Sequence, residues 1–432
     1  MDKLDNDLLE KYQTRLKRYQ DYERHRLLLS SSGSLVTLPI PEKDNVIKYN
    51  SFVYRRPLTE NNSLRFVNRA KDHITCIVNL IKRAKKFIHM EYYIFSEGYV
   101  FNYISKLLAR KVQEGVEVRL LVDGWGNFSK VSRKMIHRLQ SLGIHYKIFN
   151  PLFRRGGEFW WNIRNHNKIL IIDNEYALFG SCNISDEYFN VTDKFFPTSE
   201  LSVLLEGEIV NSLNLLFAFH WNMIPSQARE FDIMLDSQHY FPLVRRNCGS
   251  QSLQLVDSSP ISENYPIKTN LTQMIFSAKK SIRISTPYFY PPTDLLNSLK
   301  IVSQSGVKVQ IILPKEADFN DKVLRVHRRL LSQFLSDNIE IYEYFGFNHE
   351  KLTIIDDEII YFGTYNWDYR SLYWNFETAI VIKNKQTTKK VSELFSKRLE
   401  KSHPVNLSDL SYHPKIIPNV FLGISRWCRI FS

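Results

Sequence analysis

A chain of 432 residues with 44% hydrophobic and 24% charged residues is too long for one ordinary domain and too apolar for a mainly disordered or collagen-like polymer. No stretch approaches the ~18 consecutive apolar residues of a membrane span, and the opening MDKLDNDLLEKY lacks the apolar core of a signal peptide, so a soluble or peripheral protein is expected. Lys and Arg number 58 against 45 Asp and Glu; the net charge of +13 suits an anionic partner (nucleic acid, an acidic lipid surface or a phosphate-bearing substrate), although free use of Lys gives the same balance.

In chain order, residues 1–29 carry a helical pattern, with Lys11, Arg15, Lys17, Arg18, Arg24 and Arg26 set against Asp21 and Glu23. This segment is either a basic arm lying on an anionic membrane or a helix packing its Leu face on the body. SSSGS at 30–34, then Pro39 and Pro41, break it. Beyond residue 60 strands and helices alternate, which predicts an α/β fold. FVNRAKDHITCIVNLIKRAKK reads as a helix, IHMEYYIF as a strand and residues 99–114 as a helix. VEVRLLVDG is a buried strand, SRKMIHRLQSLG a helix and IHYKIF a strand. Leu201–Ile224, the most apolar stretch, is interrupted by Glu206, Glu208, Asn211, Asn214 and His220. The order then recurs: TNLTQMIFSAKK (helix), SIRISTPYFY (strand), TDLLNSLKIVSQSG (helix), VKVQIILP (strand), RVHRRLLSQFLSD (helix) and IEIYEYF (strand).

The recurrence extends to individual residues. KKFIHMEYYIF at 85–95 matches KKSIRISTPYF at 279–289, GVEVRLL at 115–121 matches GVKVQII at 306–312, and NHNKILIID at 165–173 matches NHEKLTIID at 348–356. An internal duplication predicts two α/β units packed about a pseudo-twofold axis, with a site on that axis built from both. The expected boundaries are a basic helix and linker over 1–55, units over 56–235 and 236–404, and a tail over 405–432.

Each unit carries His-x-Lys, four residues, then Asp: His166, Lys168 and Asp173, then His349, Lys351 and Asp356. Seven residues after each Asp comes Gly-[Ser/Thr]-x-Asn, placing Ser181 and Asn183 in one copy and Thr364 and Asn366 in the other. On a strand, positions i and i+2 share a face, so each His and Lys project together while Asn167 or Glu350 points away. A second strand returns a hydroxyl and an amide to the same point. Imidazole, ammonium, hydroxyl and amide together form a phosphate site with a built-in nucleophile. Glu200 and Glu377, 34 and 28 residues after the His of their own unit, open strand-like segments that could run beside the motifs. They are the candidate carboxylates for orienting the imidazoles, with surface acids at strand starts as the alternative. Asp173 and Asp356 follow long apolar runs and are expected to serve mainly the fold, and Cys182 is expected to be a small buried residue rather than a nucleophile. Cys76, Cys182, Cys248 and Cys428 show no clustering, so no disulfide framework, zinc site or other metal is expected.

These paired motifs resemble the phospholipase D superfamily over residues 60–400. NIRNHNKILIIDNEYALFGSCNISDEY, Asp368-Tyr369-Arg370-Ser371 and Asn375-Phe376-Glu377 are similar to bacterial cardiolipin synthases, as are EYYIF at 91–95 and TPYF at 286–289. The departures are the absent N-terminal membrane helices and the Asn-His-Glu at 348–350. The resemblance implies two phospholipase D-like units with the active site between them and a two-step phosphoryl transfer needing no cofactor. His166 would be the nucleophile and His349 the acid and base, with Lys168, Lys351, Asn183 and Asn366 holding the phosphate oxygens and both motif Asp residues counted in the catalytic set. It further implies a phosphatidyltransferase that joins two phosphatidylglycerol molecules into cardiolipin and glycerol, working peripherally on the cytoplasmic side of a bacterial membrane. The alternatives are a phospholipase D using water, a nuclease, which the aromatic loops disfavour, and a non-catalytic lipid-binding scaffold, which two intact His–Lys pairs disfavour. Phe153, Phe159, Trp160 and Trp161 with Arg154 and Arg155, and the terminal FLGISRWCRIFS, are either interfacial anchors or packed segments.

Overall fold

The computed structural model describes residues 10–11, 13–21, 45–151, 162–224, 232–242, 247–315 and 338–406, with Leu331, Phe334 and Leu335. The aromatic segment at 153–161, most of the helix expected over 325–337 and the terminal FLGISRWCRIFS lie outside these residues. The first unit runs β1 (Leu58–Val67), α1 (Ala70–Arg83), β2 (Phe87–Tyr92), α2 (Tyr99–Gln113), β3 (Glu117–Asp123), α3 (Arg133–Ser141), β4 (His145–Phe149), β5 (Lys168–Ile172), β6 (Tyr176–Gly180), β7 (Ser202–Glu206) and α4 (Glu208–Met223). The second runs β8 (Gln251–Ser258), α5 (Pro266–Ser277), β9 (Ser281–Ser285), α6 (Thr293–Gln304), β10 (Lys308–Pro314), β11 (Ile339–Tyr344), β12 (Leu352–Ile355), β13 (Ile359–Gly363), β14 (Asn375–Ile382), α7 (Lys385–Leu399) and β15 (Ser402–Pro404).

These strands form one sheet in the order β15-β11-β10-β9-β12-β13-β14-β8-β1-β7-β6-β5-β2-β3-β4. Counted outward from the antiparallel pair β1–β8, where Leu58 faces Gln254, the two directions match over seven strands, and β15 extends the second unit's edge by one more. The duplication has therefore produced two units joined edge to edge. In each, three strands run parallel (β2-β3-β4 and β9-β10-β11), with α2 and α3 as crossovers in the first unit and α6 between β9 and β10 in the second. Strands β2 and β5 are buried at every position, as expected where both sheet faces are covered. The apolar stretch at 201–224 is β7 plus α4. Nearly every α4 side chain is buried, and Phe217 and Trp221 belong to one core with Leu352, Phe362 and Phe376 of the second unit.

Two details differ from expectation, and one open alternative is resolved for part of the chain. Phe66 and Val67 end β1 rather than begin the helix, which starts at Ala70. SIRISTPYFY divides around Pro287, which has no N–H for a ladder; Phe289–Tyr290 instead pairs with Trp367–Asp368. In the N-terminal helical segment, Leu16 is buried in the shared core and Tyr19 packs on the Phe219 ring at 5.2 Å, so this part takes the packed alternative.

Candidate active site

Each motif His is placed by a short strand that crosses to the other unit. Arg164–Asn165 runs parallel to Asn375–Phe376, and the next N–H, of His166, donates to the Phe376 carbonyl at 3.0 Å. Phe347–Asn348 runs parallel to Thr198–Ser199, and the His349 N–H donates to the Ser199 carbonyl at 2.9 Å. Each His thus lies against the residue that precedes the opposite unit's glutamate.

The orienting carboxylates are Glu377 and Glu200, but the pairing is crossed rather than within units. His166 Nδ1 lies within 3.1 Å of both Glu377 oxygens and 3.0 Å from the Thr364 carbonyl. His349 Nδ1 lies 2.7 Å from Glu200 Oε1. The Ser181 and Thr364 hydroxyls, expected at the phosphate, bond to these carboxylates instead, Ser181 to Glu200 and Thr364 to Glu377 at 2.6 Å. The glycines of both motifs permit this closeness. A Cβ on Gly180 would lie 2.5 Å from the Leu201 carbonyl, and one on Gly363 would lie 2.1 Å from the Thr378 carbonyl.

The two carboxylates differ in their surroundings. Glu377 also receives the Ser371 hydroxyl and, at 3.0 Å, the Asn375 amide. Burial pushes its pKa up, but His166, Lys168 and Ser371 outweigh burial and hold it below the usual value. At Glu200 burial wins. It raises the pKa to about 8, against the lowering effect of Lys351, Ser181 and Lys168. Burial also lowers His166 to about 4 and His349 well below the ordinary imidazole value. With both of its neighbours acceptors, His166 Nδ1 must carry the hydrogen, which leaves Nε2 with a lone pair.

Lys168 and Lys351 are buried in the same cleft, where each Nζ donates back to the carbonyl of its own motif His, at 2.6 and 2.8 Å. Burial and their mutual repulsion bring Lys168 well below the usual lysine value, while burial brings Lys351 to about 8. Asn183 and Asn366 are buried too. The Asn183 Oδ1 accepts from the Ile94 N–H at 3.3 Å, and the Asn366 Oδ1 has no partner among the described residues. Asp173 and Asp356 stand at the far end of the motif strands, about 17 Å beyond the lysines at ~3.3 Å per residue. Each clamps three consecutive backbone N–H groups at 2.7–2.8 Å, Asp173 those of residues 85–87 and Asp356 those of 279–281. Both also occupy the left-handed region that turns one strand into the next. Through these bonds they pin the starts of β2 and β9 to the motif strands. Cys182 is buried, as expected.

Several participants carried no signal of their own. Tyr93 meets the His166 ring edge-on at 4.9 Å, and Tyr188 and Phe347 flank His349 at 5.2 and 5.3 Å. Glu350 accepts from Ser199 at 2.7 Å and from Arg398 at 2.8 Å, bracing the segment that delivers Glu200. Among the described residues no group of three His, Cys, Asp or Glu could hold a metal, and no helix is long and apolar enough to cross a membrane.

Two duplicated α/β units, sharing one cleft lined by two His–Lys pairs, define a phospholipase D-type protein. The crystal structure of phosphatidylserine synthase from Haemophilus influenzae Rd KW20 has the same fold, with a TM-score of 0.66 at 15% identity over 90% of this chain and 98% of that one. The family model described as "Cardiolipin synthase, PLD-like domain" matches residues 77–196 and 271–399. A cardiolipin synthase of Clostridium perfringens (strain 13 / Type A) is 35% identical over 375 residues, 85% of this chain and 76% of that protein. One of Alkalihalophilus pseudofirmus is 32% identical over 362 residues, 83% and 70% of the two chains. The chain belongs to the cardiolipin synthase family of phospholipase D superfamily enzymes.

Proposed function

We propose that this enzyme joins two phosphatidylglycerol molecules into cardiolipin, releasing glycerol, through a phosphohistidine on His166. The crossed and unequal His–Glu pairs carry this reading, because they give the two imidazoles the opposite proton states that the reaction needs. His166 donates Nδ1–H to an ionised Glu377 and presents its Nε2 lone pair to phosphorus. Glu200, with a pKa of about 8, lets the Glu200–His349 pair hold a proton at neutral pH. In the first step the Nε2–P bond forms and the bond from phosphorus to the glycerol oxygen breaks. That oxygen takes the proton from His349 Nε2, which Glu200 replaces at Nδ1. In the second step the terminal hydroxyl of another phosphatidylglycerol returns a proton to His349, and its oxygen attacks phosphorus. The P–N bond then breaks and the electron pair returns to His166. Lys168, Lys351, Asn183 and Asn366 hold the non-bridging oxygens through both steps.

The units at 56–235 and 236–404 act as one catalytic body, with 1–55 and 405–432 as appendages. The enzyme works peripherally at the cytoplasmic face of a bacterial membrane, without nucleic acid as a substrate. The test is to incubate the purified chain with phosphatidylglycerol vesicles and identify the products by mass spectrometry. Cardiolipin and glycerol in equal amounts are expected, with a transient phosphatidyl adduct on His166. Phosphatidic acid as the main lipid product would make water the acceptor, and an adduct on His349 would reverse the two roles.

A further inference from the structure

The residues that alternate with His166 and His349 along the chain meet a buried carboxylate in each unit. In the first unit it is Glu91 of β2, 1% exposed. Its Oε1 accepts from the side-chain amides of Asn165 and, at 3.3 Å, Asn167, and lies 2.7 Å from Nδ1 of His220 on α4. The Oε2 is buried without a hydrogen-bond partner among the described residues, so all the printed bonding of this side chain is directed at those three. The Asn165 Oδ1 in turn accepts from the Asn167 N–H and amide, each at 3.1 Å. Both chain neighbours of His166 are therefore tied to one carboxylate and to each other. The His220 ring also meets the Phe376 ring edge-on at 5.3 Å, and the Phe376 carbonyl receives the His166 N–H. The network closes on the peptide that bears His166. The second unit builds the same support from exchanged positions. At the offsets that align the repeats, Ser285 corresponds to Glu91 and Glu350 to Asn167. The Asn348 amide donates to Ser285 Oγ at 2.9 Å, and Glu350 accepts from Arg398 of α7 where Glu91 has His220 of α4. The carboxylate has changed strands, yet each motif His remains braced from behind.

We propose that Glu91, seated on His220, is a positioning residue for the reaction: through Asn165 and Asn167 it holds the His166 imidazole in line with phosphorus, as Ser285 and Glu350 hold His349. This rests on the phosphoryl-transfer reading above and adds to it the device that aims the nucleophile. A buried polar network whose members bond to one another is rigid, and a reacting group displaced by about 1 Å loses roughly 10²-fold in rate. Glu91 touches neither imidazole, so it acts only through the backbone and amides on either side of His166.

The test gives the full chain phosphatidylglycerol or, separately, phosphatidyl-4-nitrophenol, whose nitrophenolate leaves without a proton. Glu91→Ser should slow release of both glycerol and nitrophenol roughly 10²-fold per folded molecule, with the loss in kcat and little change in KM. Glu91→Gln keeps an oxygen for the two amides and should recover most of that rate. Ser285→Ala, acting through His349, should slow glycerol release and spare nitrophenol release. If instead Ser285→Ala slows nitrophenol release and Glu91→Ser spares it, the roles given to the two histidines are exchanged and the positioning stands. Both rates within about twofold of the unaltered chain in Glu91→Ser, or Glu91→Gln as slow as Glu91→Ser, would overturn the proposal. A second readout needs no turnover. The His166 Nδ1–H, held by Glu377, gives a downfield proton resonance, identified by its absence from His166→Ala. It should shift or broaden in Glu91→Ser and stay in place in Ser285→Ala. Should Glu91→Ser not fold, Asn167→Ala cuts one tie alone and must move the same signal. An unmoved signal in the folded variant would overturn the proposal, whereas a moved signal in a chain that makes no cardiolipin would sink the function above and leave the positioning standing.

Discussion

Replacing Glu377 by Gln separates two jobs that a carboxylate behind an imidazole can do, fixing the tautomer and balancing charge. When His166 attacks phosphorus its ring becomes positive, and an ionised Glu377 stabilises that charge. In Glu377→Gln the amide oxygen would still accept from Nδ1–H, and the Thr364 carbonyl at 3.0 Å would still hold the tautomer. What disappears is the charge. A hydrogen bond to a charged partner is worth about 1.5–3 kcal/mol and a neutral one about 0.5–1.5. The difference of about 1–2 kcal/mol corresponds to a roughly 5–30-fold slower first step. A mis-set tautomer in a comparable Ser-His-Asp triad costs about 10⁴-fold, so the second acceptor should spare most of that loss. Single-turnover release of glycerol from phosphatidylglycerol isolates the step. A loss as complete as that of His166→Ala would mean that the carbonyl does not hold the tautomer, and a loss under about twofold would mean that the charge plays no part. Slower cardiolipin formation with unchanged glycerol release would place His166 and Glu377 on the acid–base side of the reaction.

Four further outcomes are expected. As pH rises through about 8, buried Glu200 gives up the proton that His349 delivers and buried Lys351 loses its charge; kcat/KM should fall on that alkaline side, and a profile flat well above it would contradict the assignment. Asp173→Ala strips three backbone N–H groups of their acceptor and should lower stability in denaturant titrations by about 2–4 kcal/mol, while the folded fraction keeps its turnover within a few-fold. Arg398→Leu leaves Glu350 buried without its cation at a cost of about 3–5 kcal/mol; adding Glu350→Gln should recover much of this, and strictly additive losses in the double-mutant cycle would deny the coupling. Turnover should survive EDTA, because imidazoles supply nucleophile and acid; a loss restored by a divalent cation would refute that chemistry.

Much of the architecture was legible because the duplication leaves a trace at every level. Matched strings such as NHNKILIID and NHEKLTIID fix equivalent strands, and a period of two then puts His and Lys on one face. The motif glycines were visible, but not their reason, which is the approach of β7 and β14 to within a Cβ's reach. β1 and β8 leave no strand pattern in the sequence because LTENNSLRFV and QSLQLVDS carry polar residues inside, where Asn62 and Gln254 are buried and satisfied by hydrogen bonds. Glu200 and Glu377 could be named as orienting groups from their place at strand starts. Their crossed pairing could not be read from sequence, because a His and a Glu in one unit have the same spacing whether they meet or not. It follows from the two-residue strands Arg164–Asn165 and Phe347–Asn348, too short to show a period, which reach over to the other unit.

The chemistry needs an inequality that a duplicated scaffold does not supply, since a true twofold site would give both imidazoles the same proton state. The difference comes from residues just past the matched motifs. At the 183-residue offset that aligns His166 with His349, Ser371 corresponds to Tyr188. Ser371 turns its hydroxyl to Glu377 and, with Asn375, favours the ionised form of that carboxylate. Tyr188 brings a ring against His349, on the side of the site where burial carries the pKa of Glu200 to about 8. In the proposed reaction, this exchange of a hydroxyl for a ring at one equivalent position would favour a charged carboxylate behind His166 over one behind His349. In the string Asp-Tyr-Arg-Ser, then, the serine adds one hydroxyl to Glu377 that has no counterpart at Glu200, a point at which the site departs from the symmetry that the His–Lys motifs preserve.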